Sequence, residues 1–288
     1  MKKFKKIIAL ALAGGIALNT VSAASAQSLT YKELVEKSAM ASQAITTVDV
    51  EFNGSIALEQ NGQKLNVAQA TVKGEADLIN MNGKVDFNLQ QLLAGENISG
   101  EAAVKDAQAA AKINGELQTA EGIQSYLDMA KGVLASIALA NAQMQVTAEQ
   151  EAAMTKYFDV KEVDGDYVLA LKQGIDGNAF YMDNQAMIEE LKQSAYKQIE
   201  DRGEEVTEET RQQIDALLSQ EAFAKFFASN PMFEVHYDGQ SFLVEEVKAN
   251  VTINPADYGV QSVPGNINLA LELDLSDYNE AVNVTLPN

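Results

Sequence analysis

Val48-Asp49-Val50-Glu51-Phe52-Asn53-Gly54-Ser55-Ile56-Ala57-Leu58-Glu59 is the stretch on which the fold turns. Val48, Val50, Phe52, Ile56 and Leu58 alternate with Asp49, Glu51, Asn53, Ser55 and Glu59. Successive side chains of a strand point to opposite faces, so a period of two describes a strand with one dry face and one wet one. Downstream, Ala68, Ala70, Val72, Ala76 and Leu78 alternate with Gln69, Thr71, Lys73, Glu75 and Asp77. Val85, Phe87 and Leu89 repeat the pattern after an Asn82-Gly83 turn signal, which predicts an antiparallel meander. Ala107, Ala109, Ala111, Ile113 and Leu117 alternate with polar residues and Ala110, predicting a fourth long strand, although alanine also suits a helix.

Upstream, Thr30 and Glu33 stand at capping-box spacing, and Leu34, Val35, Ser38, Ala41 and Ile45 recur at helical period, which predicts a helix over 31–45. Two further blocks change period from two to helical. Over 120–156, Ile123, Tyr126, Leu127, Ala130, Val133, Leu134 and Ile137 form a stripe; over 184–228, Met187, Ile188, Leu191, Ala195 and Ile199 do the same, and Asn230-Pro231 stops the run. Between the blocks, Phe158 and Val160 meet Tyr167, Leu169 and Leu171 across Asp164-Gly165, and Phe180 and Tyr181 are assigned to the next strand. Strands at Phe233–Tyr237, 247–253, 267–275 and 282–286 close the chain.

The first residues carry Lys2, Lys3, Lys5 and Lys6, then an apolar run over 7–18, then Ala24-Ser25-Ala26. That is a secretory leader over 1–26 with an A-x-A cleavage site, and its apolar run is shorter than the ~20 residues of a membrane span. Removing it leaves one expected domain over 27–288, extracytoplasmic and free of a transmembrane anchor. Loss of the four lysines takes the formal charge from −20 to −24. Nucleic acid is excluded as a partner, because phosphate binding needs a basic footprint. With no cysteine in the chain there is no disulfide, no thiolate and no lipid-bearing residue, so the body is expected not to be lipid-anchored.

About nine strands with one polar face each specify an antiparallel sheet that must bury a single apolar surface. The helices of the same chain are the available cover, which gives an α+β fold: a strongly curved sheet, an incomplete β-barrel, wrapped around helices. Ala68, Ala70, Gly74 and Ala76, with Ala107, Ala109, Ala111 and Gly115, make the inward positions of two strands small. The volume they leave is filled either by close helix packing or by a ligand such as an acyl chain. A cavity of the second kind would be lined by Ala70, Val72, Ala109 and Ala111, with Phe223, Phe226 and Phe227 as a lid.

The element order, the opening Ile45-Thr46-Thr47-Val48-Asp49-Val50-Glu51-Phe52, and the closing segment from Leu271 through Ser276-Asp277-Tyr278-Asn279 resemble the half-barrel family of LolA and the mycobacterial LppX and LprG lipid carriers. Secreted Gram-positive proteins with that fold are the nearest in character. The resemblance implies lipid or acylated cargo between sheet and helices. Two features depart from it: the lipobox cysteine is missing, and the only arginines, Arg202 and Arg211, sit in a polar helical block. The alternative is a structural or interaction protein of the cell surface with a filled core, meeting wall components or another protein.

The residues give no frame for catalysis. The single histidine, His236, falls on the polar side of its strand with no nucleophile elbow in the chain, and one histidine without cysteine excludes ordinary zinc sites. Asp164-Gly165-Asp166 and Asp176-Gly177-Asn178 do not fit a calcium loop and are turn signals first. No metal, no cofactor and no enzymatic activity are expected.

Overall fold

The computed structural model describes residues 29–60, 62–92, 94–106, 108–118, 148–201, 205–258 and 265–288. The expected leader and the stripe over 123–137 lie outside the described residues. The strands are β1 (Thr47–Gln60), β2 (Gln63–Asp77), β3 (Asn82–Gln91), β4 (Glu96–Lys105), β5 (Gln108–Ile113), β6 (Glu116–Leu117), β7 (Phe158–Val163), β8 (Asp166–Leu171), β9 (Met232–Tyr237), β10 (Val244–Ile253) and β11 (Asn266–Ser276). The helices are α1 (Tyr31–Ser42), α2 (Ala148–Thr155), α3 (Gly177–Asp183), α4 (Gln185–Asp201), α5 (Glu208–Leu217) and α6 (Gln220–Ala228).

All eleven strands form one antiparallel sheet in the order β6-β5-β4-β3-β2-β1-β11-β10-β9-β8-β7. The first and last strands meet in its middle, with Val50 opposite Leu275 and Leu58 opposite Ile267. Among the described residues β6 and β7 are the two edges and do not pair with each other, so the sheet is an open, curved half-barrel rather than a closed one. Matching periods explain the register: a slip of one residue would turn every apolar side chain of β1 into water. β1 and β2 tolerate one irregularity, between Ile56 and Ala57.

Several expectations need correction. Phe180 and Tyr181 are not in a strand; they lie in α3, because Asp176 caps that helix by accepting from Asn178 N at 2.9 Å. β4 is a strand the pattern did not announce, since Ile98, Gly100, Ala102 and Val104 alternate in residues with little apolar signal. The expected fourth strand stops at Ile113, where Asn114 and Gly115 take positive φ and turn β6 back on it. The Asn82-Gly83 pair opens β3 instead of forming the turn, which is made by 78–81. α1 ends at Ser42, three residues early, and Val282, Val284 and Leu286 run without a ladder partner.

Candidate functional site

Cross-strand register resolves the sheet into rows. One row reads Ile113, Gly100, Phe87, Val72, Phe52, Leu273, Val247, Val235, Leu169 and Val160, crossing ten strands without a charge. The adjacent row, one residue along, reads Lys112, Glu101, Asp86, Lys73, Glu51, Asp274, Glu246, His236, Val168 and Lys161. Neighbouring rows project to opposite faces, so the sheet is apolar on one side and charged on the other.

The described helices bury only part of the apolar face. Tyr31, Leu34 and Val35 of α1, Met154 of α2, Phe180 of α3 and Phe227 of α6 share one cluster with Phe158, Leu169 and Tyr237. Its strand members come from β7 to β10 and from no strand beyond. Aromatic contacts hold it: the Phe180 ring lies 4.8 Å from Tyr157, 4.7 Å from Phe227 and 5.6 Å from Phe223. Burial, followed by the hydrogen bond to Asp183, pushes the Tyr157 phenol well above its ordinary value. On the other half, Val72, Phe87, Phe52 and Leu271 are only half-buried, and the directly paired Leu89 and Ile98 are 41% and 38% exposed.

The residues proposed from sequence separate accordingly. Ala70 and Val72 stand on the apolar face of β2, opposite Gly54 and Phe52 on one side and Leu89 and Phe87 on the other. Ala109 and Ala111 stand on the same face of β5, opposite Val104 and Ala102, and Ala111 is buried. Phe223, Phe226 and Phe227 belong to the aromatic cluster at the far end of the sheet, so the structure does not bring them to the alanines. Leu89 and Ile98 were not singled out; their signal is that Ile98 falls directly opposite Leu89 once β4 is recognised. Of the two glycines counted among the small inward positions, Gly74 lies against the neighbouring strand, where a Cβ would stand 2.8 Å from Lys84 O, and Gly115 lies in the turn after β5.

The charged face carries a separate arrangement. Glu246, Glu272 and Asp274 bring carboxylate oxygens within 4.8 Å of one another. Lys248 lies among them, 2.6 Å from Glu246 and 3.6 Å from Glu272, and His236 is 3.8 Å from Glu246. Burial and then the nearby Glu246 and Glu51 raise the Asp274 carboxyl, the ordinary effect of crowding like charges on a partly covered surface. An open depression of about 430 Å³ on this side is lined by Asn53, Ser55, Gln69, Thr71 and Asn250. Gly54, Ala70, Ala249, Ala270, Leu271 and Met232 also line it, so the predicted site residue Ala70 borders this depression as well as the apolar half-face. Asp176 caps α3, and Asp166 accepts from Gly239 N at 3.0 Å.

An open antiparallel half-barrel, packed by helices at one end and with an apolar face that the described helices cover only in part at the other, is thus the class of protein that fold and face define. No family model and no curated protein matches the chain. Among solved structures it is similar to LprF from Mycobacterium bovis, at a TM-score of 0.34 and 11% identity over 89% of this chain and 95% of that one. It is also similar to a DUF1329 family protein from Desulfovibrio piger, at a TM-score of 0.23 and 8% identity over 88% and 94% of the two chains.

Proposed function

We propose that the chain is a secreted, non-enzymatic binding protein that holds a lipid or other apolar ligand against the half-face formed by β11 and β1 to β5. The observation that carries this reading is the uncharged row through Phe52, Val72 and Phe87, ending beside the exposed pair Leu89 and Ile98. Contiguous apolar surface of this kind costs free energy in water and marks an interaction site. Ala70, Val72, Ala109 and Ala111 form the floor of that site in the proposal, and Phe223, Phe226 and Phe227 pack the neighbouring end. No helix among the described residues is long and apolar enough to cross a membrane.

The test is a titration of fluorescent fatty acid into the mature protein, beside native mass spectrometry of material purified from its host. Leu89→Gln with Ile98→Thr exchanges two exposed apolar side chains for polar ones, so folding is expected to survive while affinity falls at least tenfold. A clean apo mass together with no fatty-acid binding overturns the reading. It would favour the filled-core surface protein, to which the tight packing of Phe180, Phe223 and Phe227 already lends support.

A further inference from the structure

The β2–β3 hairpin ends in Asp77-Leu78-Ile79-Asn80-Met81-Asn82, and its tip is built against the usual rules. Hairpin turns favour Gly, Asn, Asp and Ser, and left-handed positions favour Gly or Asn. Here Ile79 is 68% exposed, Met81 is 51% exposed, and Met81 takes a φ of 55°. A turn that sets two large apolar side chains in water, one of them on an unfavourable backbone, is locally inconsistent with solubility and with turn preference.

The tip cannot relieve this by folding back, because it is tied down on three sides. Asp77 Oδ1 accepts from Ile79 N at 3.1 Å and from Asn80 N at 2.9 Å, and Oδ2 accepts from Asn80 Nδ2 at 2.7 Å. Leu78 N donates to Thr46 O at 2.8 Å, and Asn82 Oδ1 accepts from Asp106 N at 2.9 Å, joining the tip to the neighbouring β4–β5 turn. The two side chains are therefore presented by a braced element.

Charge around the tip is one-sided. Asp49, Glu75, Asp77, Asp106, Asp277 and Glu280 gather at this end of the sheet, against Lys84, which bridges Glu75 at 2.7 Å, and Lys105, whose ammonium is taken by Val284 O at 2.9 Å. Six carboxylates and two lysines leave a local charge of −4. That rim repels a second copy of the chain and an anionic lipid surface, and it attracts a cationic one.

We propose that Ile79 and Met81 form a docking knob for a protein partner that offers an apolar pocket rimmed by lysine or arginine. This inference stands apart from ligand binding on the half-face, because the knob precedes β3 at Asn82 while Leu89 and its partner Ile98 stand at the other end of that strand.

The test places a photo-crosslinking phenylalanine analogue at position 79 of the full chain in its host, with the same analogue at position 65, another exposed apolar strand-end residue, as a control. The partner captured from position 79 alone is then purified, and its affinity is measured for the wild-type chain and for Ile79→Ser with Met81→Gly, at low and at physiological salt. Expected are a melting temperature at or above wild type, since glycine suits the left-handed position, an affinity at least tenfold weaker, and wild-type binding that weakens with salt. A melting temperature several degrees lower would make the two residues structural and sink the proposal. So would equal capture from position 65, binding indifferent to the variant or to salt, or flotation of the wild type but not the variant with phosphatidylcholine vesicles.

Discussion

Thr30 and Glu33 start α1 by exchanging hydrogen bonds: Glu33 N donates to Thr30 Oγ1 at 3.2 Å, and Thr30 N donates to the Glu33 carboxylate at 2.8 Å. The helix carries Leu34, which is completely buried, so the cap fixes where a core side chain enters. Thr30→Ala is expected to lower stability by about 1 kcal/mol, measured by urea unfolding. Asp274 tests the charged face with the opposite sign. Its raised carboxyl means that the folded state prefers the proton, so the wild type loses stability as pH rises through that value. Asp274→Asn should therefore raise the urea midpoint at pH 7, and the gain should vanish in acid below the ordinary carboxylate range of about 4, where the wild type is protonated as well. Both residues were legible in the sequence as a capping box and a polar strand position. The crowding of Asp274 by Glu246 and Glu51 was not, because it depends on the register of β11 against the preceding strand β10 on one side and the first strand β1 on the other.

Among the elements, α3 and α6 show how closely the packed end is fitted. A Cβ on Gly177 would stand 2.3 Å from the Phe223 carbonyl oxygen and 2.6 Å from Ala224 Cα, so the two helices touch through backbone. Gly177→Ala is expected to cost about 1–3 kcal/mol by forcing them apart, and near-ultraviolet circular dichroism should report the loosened Phe180 and Tyr181 environment. The long strands with Val, Ile, Leu or Phe at every second position were readable directly, β1 and β11 above all. β4 was not, because Gly100 and Ala102 dilute the apolar face between Ile98 and Val104 while Ala103 falls on the polar one, and α3 was not, because a seven-residue helix shows less than two turns of period while its aromatics mimic a strand. Once Phe180 is helical, it draws Phe223 and Phe227 into the core and away from the alanines of β2 and β5.

On the scale of the whole molecule, a formal charge of −20 opposes compaction, and the charged row on the outer face concentrates that repulsion. Screening should relieve it: the melting temperature is expected to rise between about 0.01 and 0.15 M salt, over which the Debye length falls from roughly 30 to 8 Å. A melting temperature that falls with salt would mean that ion pairs such as Lys84–Glu75 outweigh the net repulsion. The sequence by itself determined a one-sided antiparallel sheet, the start of α1 and an acidic exterior, because alternation, capping and charge are properties of neighbours along the chain. Only the tertiary structure decided that β1 and β11 close the middle of the sheet, that the aromatic core fills one end, and that Leu89 and Ile98 lie together on the half-covered face. Those outcomes depend on which strand pairs with which and on where each helix lands, and such long-range contacts leave no period in a linear sequence.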